Sequence, residues 1–306
     1  MAGIYIDGMH GIGDNIVQRC FIKQLTRRGQ EIWLKTPVPE IYQGISRLHF
    51  VKANTRLRTQ RKNENRTNVI FESVTTGMPY RRIFYGDIDL RQGSIFTAFE
   101  RQFGIPPAGL DLPHYALPDI GIPSNKPLAV VRPTTERREW HNSSRGPLNE
   151  YVDSVARILA GKGWHVVSIA DIEPGQEWIP DVEPFAHQKF HHGELSLTQM
   201  LALIERADIV VTGVGVVMHA AQAYRRPTIC LQGGCGGNNH HTKVTDRSCM
   251  CLPETLYIYP DNYCRCQLMN HNCDKYISNL PSRVMPFIER VAASLEKDIS
   301  YGITLS

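Results

Sequence analysis

Two kinds of apolar pattern alternate along the chain. Short apolar runs bounded by Gly, Pro or Asp predict strands: GIYID (3–7), EIWLK (31–35), VIFE (69–72), RIFYGD (82–87), LAVVR (128–132), WHVVSIA (164–170), DIVVTG (208–213) and PTICLQG (227–233). Between them, apolar residues recur at three- and four-residue spacing and predict helices. One covers 15–28 through Ile16, Val17, Cys20, Phe21 and Leu25, and Gly29 closes it. Others cover 95–104, 149–162, 197–207, 216–225 and 283–297, the last through Val284, Phe287, Ile288, Val291 and Leu295. Strands apolar on both faces and separated by helices predict parallel sheets covered on both sides. Residues 55–67 (TRLRTQRKNENRT) show no apolar stripe and read as an exposed, mobile loop.

The alternation breaks once. Pro106, Pro107, Pro113, Pro118, Pro123 and Pro127 crowd the stretch 104–127, which reads as a linker. The division expected is an N-terminal domain over 1–122, a C-terminal domain over 123–282, and a C-terminal helix and tail over 283–306. A length of 306 residues suits two domains. With 42% hydrophobic residues a real core is expected, and no apolar run approaches the roughly 20 residues of a membrane helix. The first residues lack the pattern of a secretory signal, so a cytoplasmic protein is expected.

Charge is uneven. Residues 1–123 hold 16 basic and 11 acidic side chains. Within 47–82 stand Arg47, Lys52, Arg56, Arg58, Arg61, Lys62, Arg66, Arg81 and Arg82 against Glu64 and Glu72. An anionic partner on this half is expected.

Four constellations carry candidate chemistry. The first is Gly8-x-x-Gly11-x-Gly13-Asp14, between a strand and a helix. Free amides there suit an anion, and Asp14 either caps the helix or serves as a general base. The spacing is not G-x-G-x-x-G, which argues against a nicotinamide oxidoreductase. The second is the loop RPTTERREWHNSSRGPLNEY (132–151), whose Arg132, Arg137, Arg138 and Arg145 suit a diphosphate. The third is Thr212-Gly213-Val214-Gly215 with His219, at a strand-to-helix turn. The fourth is a thiol cluster of Cys251, Cys264, Cys266 and Cys273, near Cys249 and His271. It reads either as a structural zinc site or as buried free thiols.

ADIVVTGVGVVMHAAQAYRRPTICLQGG (207–234) resembles the donor-binding segment of glycosyltransferase family 9, the heptosyltransferases, whose pattern is roughly A-D-L-V-V-x-x-D-S-G-x-M-H-L-A-A-A-L-G-x-P-x-V-x-L-F-G. GELSLTQMLALIERAD (193–208) resembles the stretch before it, and GIGDNIVQRCFIKQL (11–25) the family's opening. The resemblance implies an α/β protein of GT-B form, with two Rossmann-like domains whose parallel sheets face a central cleft. It implies an inverting, metal-independent transfer of a sugar from a nucleotide-diphosphate donor, with no cofactor required for catalysis. Asp14 matches the general base. Arg145, with Arg138 nearby, takes the place of the family's phosphate-binding Lys. Thr212, Gly213, Gly215 and His219 fall on the donor side; the family's Asp-Ser-Gly is Gly-Val-Gly here, which leaves the sugar open. On the acceptor side fall His10, Gly11 and Gly13 of the glycine loop, with Arg56 and Arg58 of the basic region. The acceptor expected is a phosphorylated lipopolysaccharide core or a nucleic acid. The competing class is a non-catalytic nucleotide- or nucleic-acid-binding protein of the same fold.

Overall fold

The structure is a computed structural model and describes residues 3–247, 249 and 255–303. Two parallel sheets organise it. The first has strand order β3-β2-β1-β4, from β1 (Ile4–Asp7), β2 (Ile32–Lys35), β3 (Leu48–Val51) and β4 (Tyr80–Arg82). Its helices are α1 (Ile12–Arg27), α2 (Arg58–Arg66), α3 (Asp87–Gln92) and α4 (Ile95–Phe103). A stretch without regular elements, 104–127, leads to the second sheet.

That sheet takes β5 (Leu128–Val131), β7 (His165–Ile169), β9 (Gln188–Phe190), β10 (Ile209–Thr212), β11 (Thr228–Leu231) and β12 (Thr255–Ile258), in the order β12-β11-β10-β5-β7-β9. A two-stranded antiparallel pair, β6 (Glu136–Arg137) with β8 (Glu177–Trp178), stands beside it. The helices are α5 (Asn149–Gly161), α6 (Leu197–Arg206), α7 (Val216–Ala223), the short α8 (Gly236–Asn239) and α9 (His241–Val244), and α10 (Leu280–Ile303).

One apolar cluster joins the two halves. Ile16, Val17 and Phe21 of α1 pack in the same core as Val217, Ala220 and Ala221 of α7, together with β5 and α6. A second cluster lies under α5 and α10, where Val284, Phe287, Ile288 and Val291 meet the other face of the six-stranded sheet. Helix α10 is therefore packed into the second half.

Three sequence expectations change. Residues 58–66 are helix α2, not a loop. Its anchors are polar, which is why apolar periodicity does not reveal it. The Glu64 carboxylate accepts from the amides of Ala53 and Asn54, and buried Arg58 reaches across to the second half. The 69–72 run makes only a single bridge, Phe50 to Phe71, and the strand expected at 82–87 lies earlier, at β4.

Candidate active site

In each sheet the chain leaves the first strand in one direction and later returns to its other side. Such switch points, at the carboxyl ends of strands, form crevices for ligands. In the first sheet the switch lies between β1 and β4, and in the second between β5 and β10. The candidate residues follow these four strands: Asp14 after β1, Tyr85 after β4, Arg145 after β5, and Gly213 and Gly215 after β10.

A buried polar network sets the β1–α1 loop. Asn15 donates to the carbonyls of Met9 and Gly11, each at 2.8 Å, and accepts from Thr36 at 2.8 Å and Tyr42 at 2.9 Å. Gln18 accepts from the Met9 amide at 3.2 Å and donates to Tyr42 at 2.8 Å. The loop is thus tied to the interior while His10, Gly11 and Gly13 remain partly accessible. His10 is half-buried, and burial pushes its pKa down, as does the nearby Lys35. At Gly13 a Cβ would sit 3.1 Å from the His219 ring, so glycine permits the close approach of α1 to α7.

Asp14 lies in the first turn of α1, whose N-cap makes no side-chain capping bond. Its carboxylate instead accepts from the Tyr85 hydroxyl at 2.6 Å. Burial raises its pKa; the Tyr85 bond and the Arg145 charge pull the other way. A carboxylate held above its ordinary range, yet still favoured as an anion by two partners, has the character of a general base.

Arg145 faces it from the other half. Its guanidinium lies 5.4 Å from the Trp140 ring centroid, and burial lowers its pKa against the opposing pull of Tyr85 and Asp14. Its Nε is buried without a hydrogen-bond partner, and so is Nδ1 of His219. Burial, then the Arg145 charge, lowers the His219 pKa to about 3, so the ring is neutral. Two unpartnered buried donors or acceptors beside a carboxylate are costly unless a ligand satisfies them. Gly215 opens α7 with nothing within 4 Å of its Cβ position, and Gly213 packs on Pro147 of the arginine loop. Thr212 is buried and donates to the Gly213 carbonyl at 3.0 Å.

The other predicted residues are placed differently. Arg138 stands exposed in a 3₁₀ turn (Arg138–Trp140), and Arg56 is exposed on the approach to α2. Arg58 does not present its charge to an acceptor. It is 9% exposed and pairs with Glu173 at 3.0 Å, Glu177 at 2.9 Å and Asp171 at 3.3 Å, all in the second half. Lys62 adds a pair to Asp171 at 2.9 Å. This latch closes one end of a cavity of about 400 Å³ lined by Ile12, Lys62, Asp171, Phe190, Leu195 and Ser196, among others.

The thiol cluster gathers Cys264, Cys266, His271 and Cys273, whose ligand atoms all lie within 4.8 Å of one another. Cys251 of the expected set lies outside the described residues, and His271 is the fourth member found. For a tetrahedral metal with bonds near 2.3 Å to sulfur and 2.0–2.1 Å to nitrogen, sulfurs stand about 3.8 Å apart and sulfur and nitrogen about 3.6 Å. Here Cys266 Sγ and Cys273 Sγ are 3.7 Å apart; His271 Nδ1 is 3.6 Å from Cys264 Sγ and 3.3 Å from Cys273 Sγ. The set fits a thiophilic metal such as zinc or iron.

Sequence reasoning did not single out Tyr85 or Trp140. Tyr85 adjoins the predicted base only through strand order, since 71 residues separate them. Trp140 sits inside the arginine loop, where an aromatic among cations is the one available signal.

Two Rossmann-like halves whose switch points face each other, with a half-buried carboxylate on one side and an arginine loop on the other, define a glycosyltransferase of GT-B form. Residues 94–266, more than half of the chain, match the sequence model of glycosyltransferase family 9 (heptosyltransferase), and the chain belongs to that family. It is a glycosyltransferase, which sets aside the non-catalytic alternative. No protein of curated function matches the sequence. Among solved structures, it is similar to the bacterial iron-containing dodecameric glycosyltransferase TibC from enterotoxigenic E. coli H10407, with TM-score 0.62 and 12% identity over 96% of this chain and 77% of that one. The dodecameric heptosyltransferase TibC in complex with ADP-D-β-D-heptose gives 0.60 and 14% over the same shares. E. coli ADP-heptose LPS heptosyltransferase II gives 0.56 and 15%, over 96% of this chain and 99% of that one. At such identities the likeness shows the fold. No helix among the described residues is long and apolar enough to cross a membrane.

Proposed function

We propose that this protein moves a sugar from a nucleotide-diphosphate donor to a hydroxyl of an anionic acceptor, with inversion at the anomeric carbon. The observation that carries the reading is the facing of Asp14, held by Tyr85, and Arg145, whose Nε is buried and unpartnered. Asp14 takes the acceptor hydroxyl proton as that oxygen attacks the anomeric carbon. The bond from that carbon to the diphosphate oxygen breaks, and the electron pair leaves with the nucleoside diphosphate. Arg145, the open turn at Gly213 and Gly215, and neutral His219 meet the departing charge. Arg138, exposed nearby, assists as the donor enters. The interdomain cavity takes the nucleoside end, since Ile12 places it next to the Asp14 turn.

The first half, proposed to span 1–122, receives the acceptor at the His10–Gly13 loop. Arg56, Lys52, Arg61 and Arg82 are exposed on the same half, and so are Phe84 and Ile88, which flank Tyr85 along the chain. Cations beside apolar side chains favour an amphiphilic anionic acceptor, such as a phosphorylated lipopolysaccharide core, over nucleic acid. The second half, from 123 onward, holds the donor. The Cys264, Cys266, His271 and Cys273 set holds a structural zinc or iron, which cross-links its loop and takes no part in bond making. A cytoplasmic setting goes with this reading, because free thiols persist in a reducing compartment.

The test is turnover of sugar nucleotides by the native enzyme and Asp14→Asn. Loss of a general base is expected to lower kcat by roughly 10²- to 10⁴-fold. Equal rates would remove Asp14 from the mechanism.

A further inference from the structure

Ser144 joins two features that the catalytic reading leaves separate, the arginine loop and the thiol cluster. It is fully buried next to Arg145, and all its polar groups are used. Its amide and hydroxyl both donate to the Met269 carbonyl, at 3.1 and 2.9 Å. Its hydroxyl accepts from the His271 amide at 2.7 Å, and its carbonyl accepts from the Gly234 amide at 2.7 Å. Next to it, the Ser143 carbonyl accepts from Lys275 at 2.6 Å.

The glycine run after β11 closes the other side. A Cβ at Gly234 would overlap the Cys273 sulfur, and one at Gly233 would overlap the Gly146 carbonyl. Gly236 and Gly237 donate to the carbonyls of Cys264 and Cys266, at 2.8 and 2.9 Å. The Arg145 loop is therefore wedged between the glycine run and the segment bearing the four ligands.

That segment, 262–279, contains no helix or strand. Its own side-chain cross-links are the ligand set, with Sγ and Nδ1 atoms at 3.3–3.7 Å, and Asn262, which donates to Asp274 at 2.9 Å. A metal there would convert an irregular loop into a rigid one, because binding free energy at such sites is ordering free energy.

We propose that metal in the Cys264, Cys266, His271 and Cys273 set holds the donor-phosphate arginine in place, with Ser144 as the positioning residue between them. The inference rests on the donor reading given above. Metal occupancy then governs donor affinity without touching the donor, and loss of metal lowers it.

The test uses the full chain, loaded with zinc or iron and then stripped by a chelator under reducing conditions. Metal content is measured by mass spectrometry, amide exchange is followed over 138–148 with 128–131 as the internal control, and ADP is titrated by calorimetry. Stripping is expected to speed exchange in 138–148, to leave 128–131 unchanged, and to weaken ADP binding roughly tenfold or more, the scale of one lost charge-assisted contact. Ser144→Ala is expected to keep its metal, bind ADP as weakly as stripped native protein, and weaken no further when stripped. Four results overturn the inference: a chain that takes up neither metal, a stripped protein with native exchange and affinity, global loosening that includes 128–131, or Ser144→Ala with native affinity. A loaded protein that binds no ADP, yet loosens over 138–148 on stripping, would sink the donor reading and leave the coupling standing.

Discussion

Tyr85→Phe tests the chemistry at Asp14 more finely than removal of the carboxylate. The substitution deletes one hydroxyl and keeps the ring, which packs on Phe99 at a centroid distance of 5.8 Å. What disappears is the 2.6 Å bond from Tyr85 to the Asp14 carboxylate. Hydrogen bonds to charged groups contribute about 1.5–3 kcal/mol. That bond favours the carboxylate over the acid, so its loss raises the Asp14 pKa further. Burial already holds this pKa above its ordinary value, and the Tyr85 bond is the largest force opposing that rise. A general base works only when deprotonated, so activity falls as pH drops through its pKa. The acid limb of kcat/KM is therefore expected to shift toward higher pH in Tyr85→Phe, and the rate on that limb to fall by roughly tenfold or more, the equivalent of the lost bond. The assay is donor turnover from pH 4 to 9, with circular dichroism to confirm the fold. An acid limb that stays in place, or moves to lower pH, would refute the assignment of Asp14 as a base tuned by Tyr85.

Three further outcomes follow from the same contacts. Arg145→Ala is expected to raise the donor KM more than tenfold and Arg145→Lys to recover only part of it, because a planar guanidinium matches a diphosphate and stacks on Trp140 as an ammonium cannot; equal kinetics for all three would remove Arg145 from the site. Arg58→Ala breaks a buried pair network whose carboxylates keep other partners in Lys62 and Arg132, so a loss of about 2–4 kcal/mol and a melting temperature lower by about 3–6 °C are expected, with faster amide exchange in 55–67; an unchanged melting curve would show that the latch contributes nothing. Gly234→Ala places a methyl on the Cys273 sulfur and is expected to lower metal content and stability together; normal metal binding with native stability would contradict the packing described for this loop.

Much of the fold was legible along the chain, because strands and helices differ in apolar period. The short β6, β8 and β9 do not announce themselves, whereas the N-terminal β1–α1 unit and, in the second half, β5, α5, β7, α6, β10, α7 and β11 follow the apolar pattern closely. So did the positions of Asp14, Arg145 and the Gly213–Gly215 turn at strand-to-helix junctions, since those junctions are marked locally by glycine and by a change of period. Helix α2 was not legible. Its stability comes from Glu64 capping distant amides and from Arg58 bonding to Asp171, Glu173 and Glu177, more than a hundred residues away.

Local pattern by itself determined the strands and helices with a clear apolar period, where their loops leave a strand, and which side chains those loops carry. Tertiary structure alone decided what those side chains meet. It placed Tyr85 on Asp14, turned Arg58 from a surface cation into an interdomain latch, and brought His271 to three cysteines and Ser144 against their loop. The reason is physical. Helix and strand preferences act over a few residues, whereas a buried polar group is satisfied by whichever partner the order of strands carries to it, and that order is set by packing of the whole sheet.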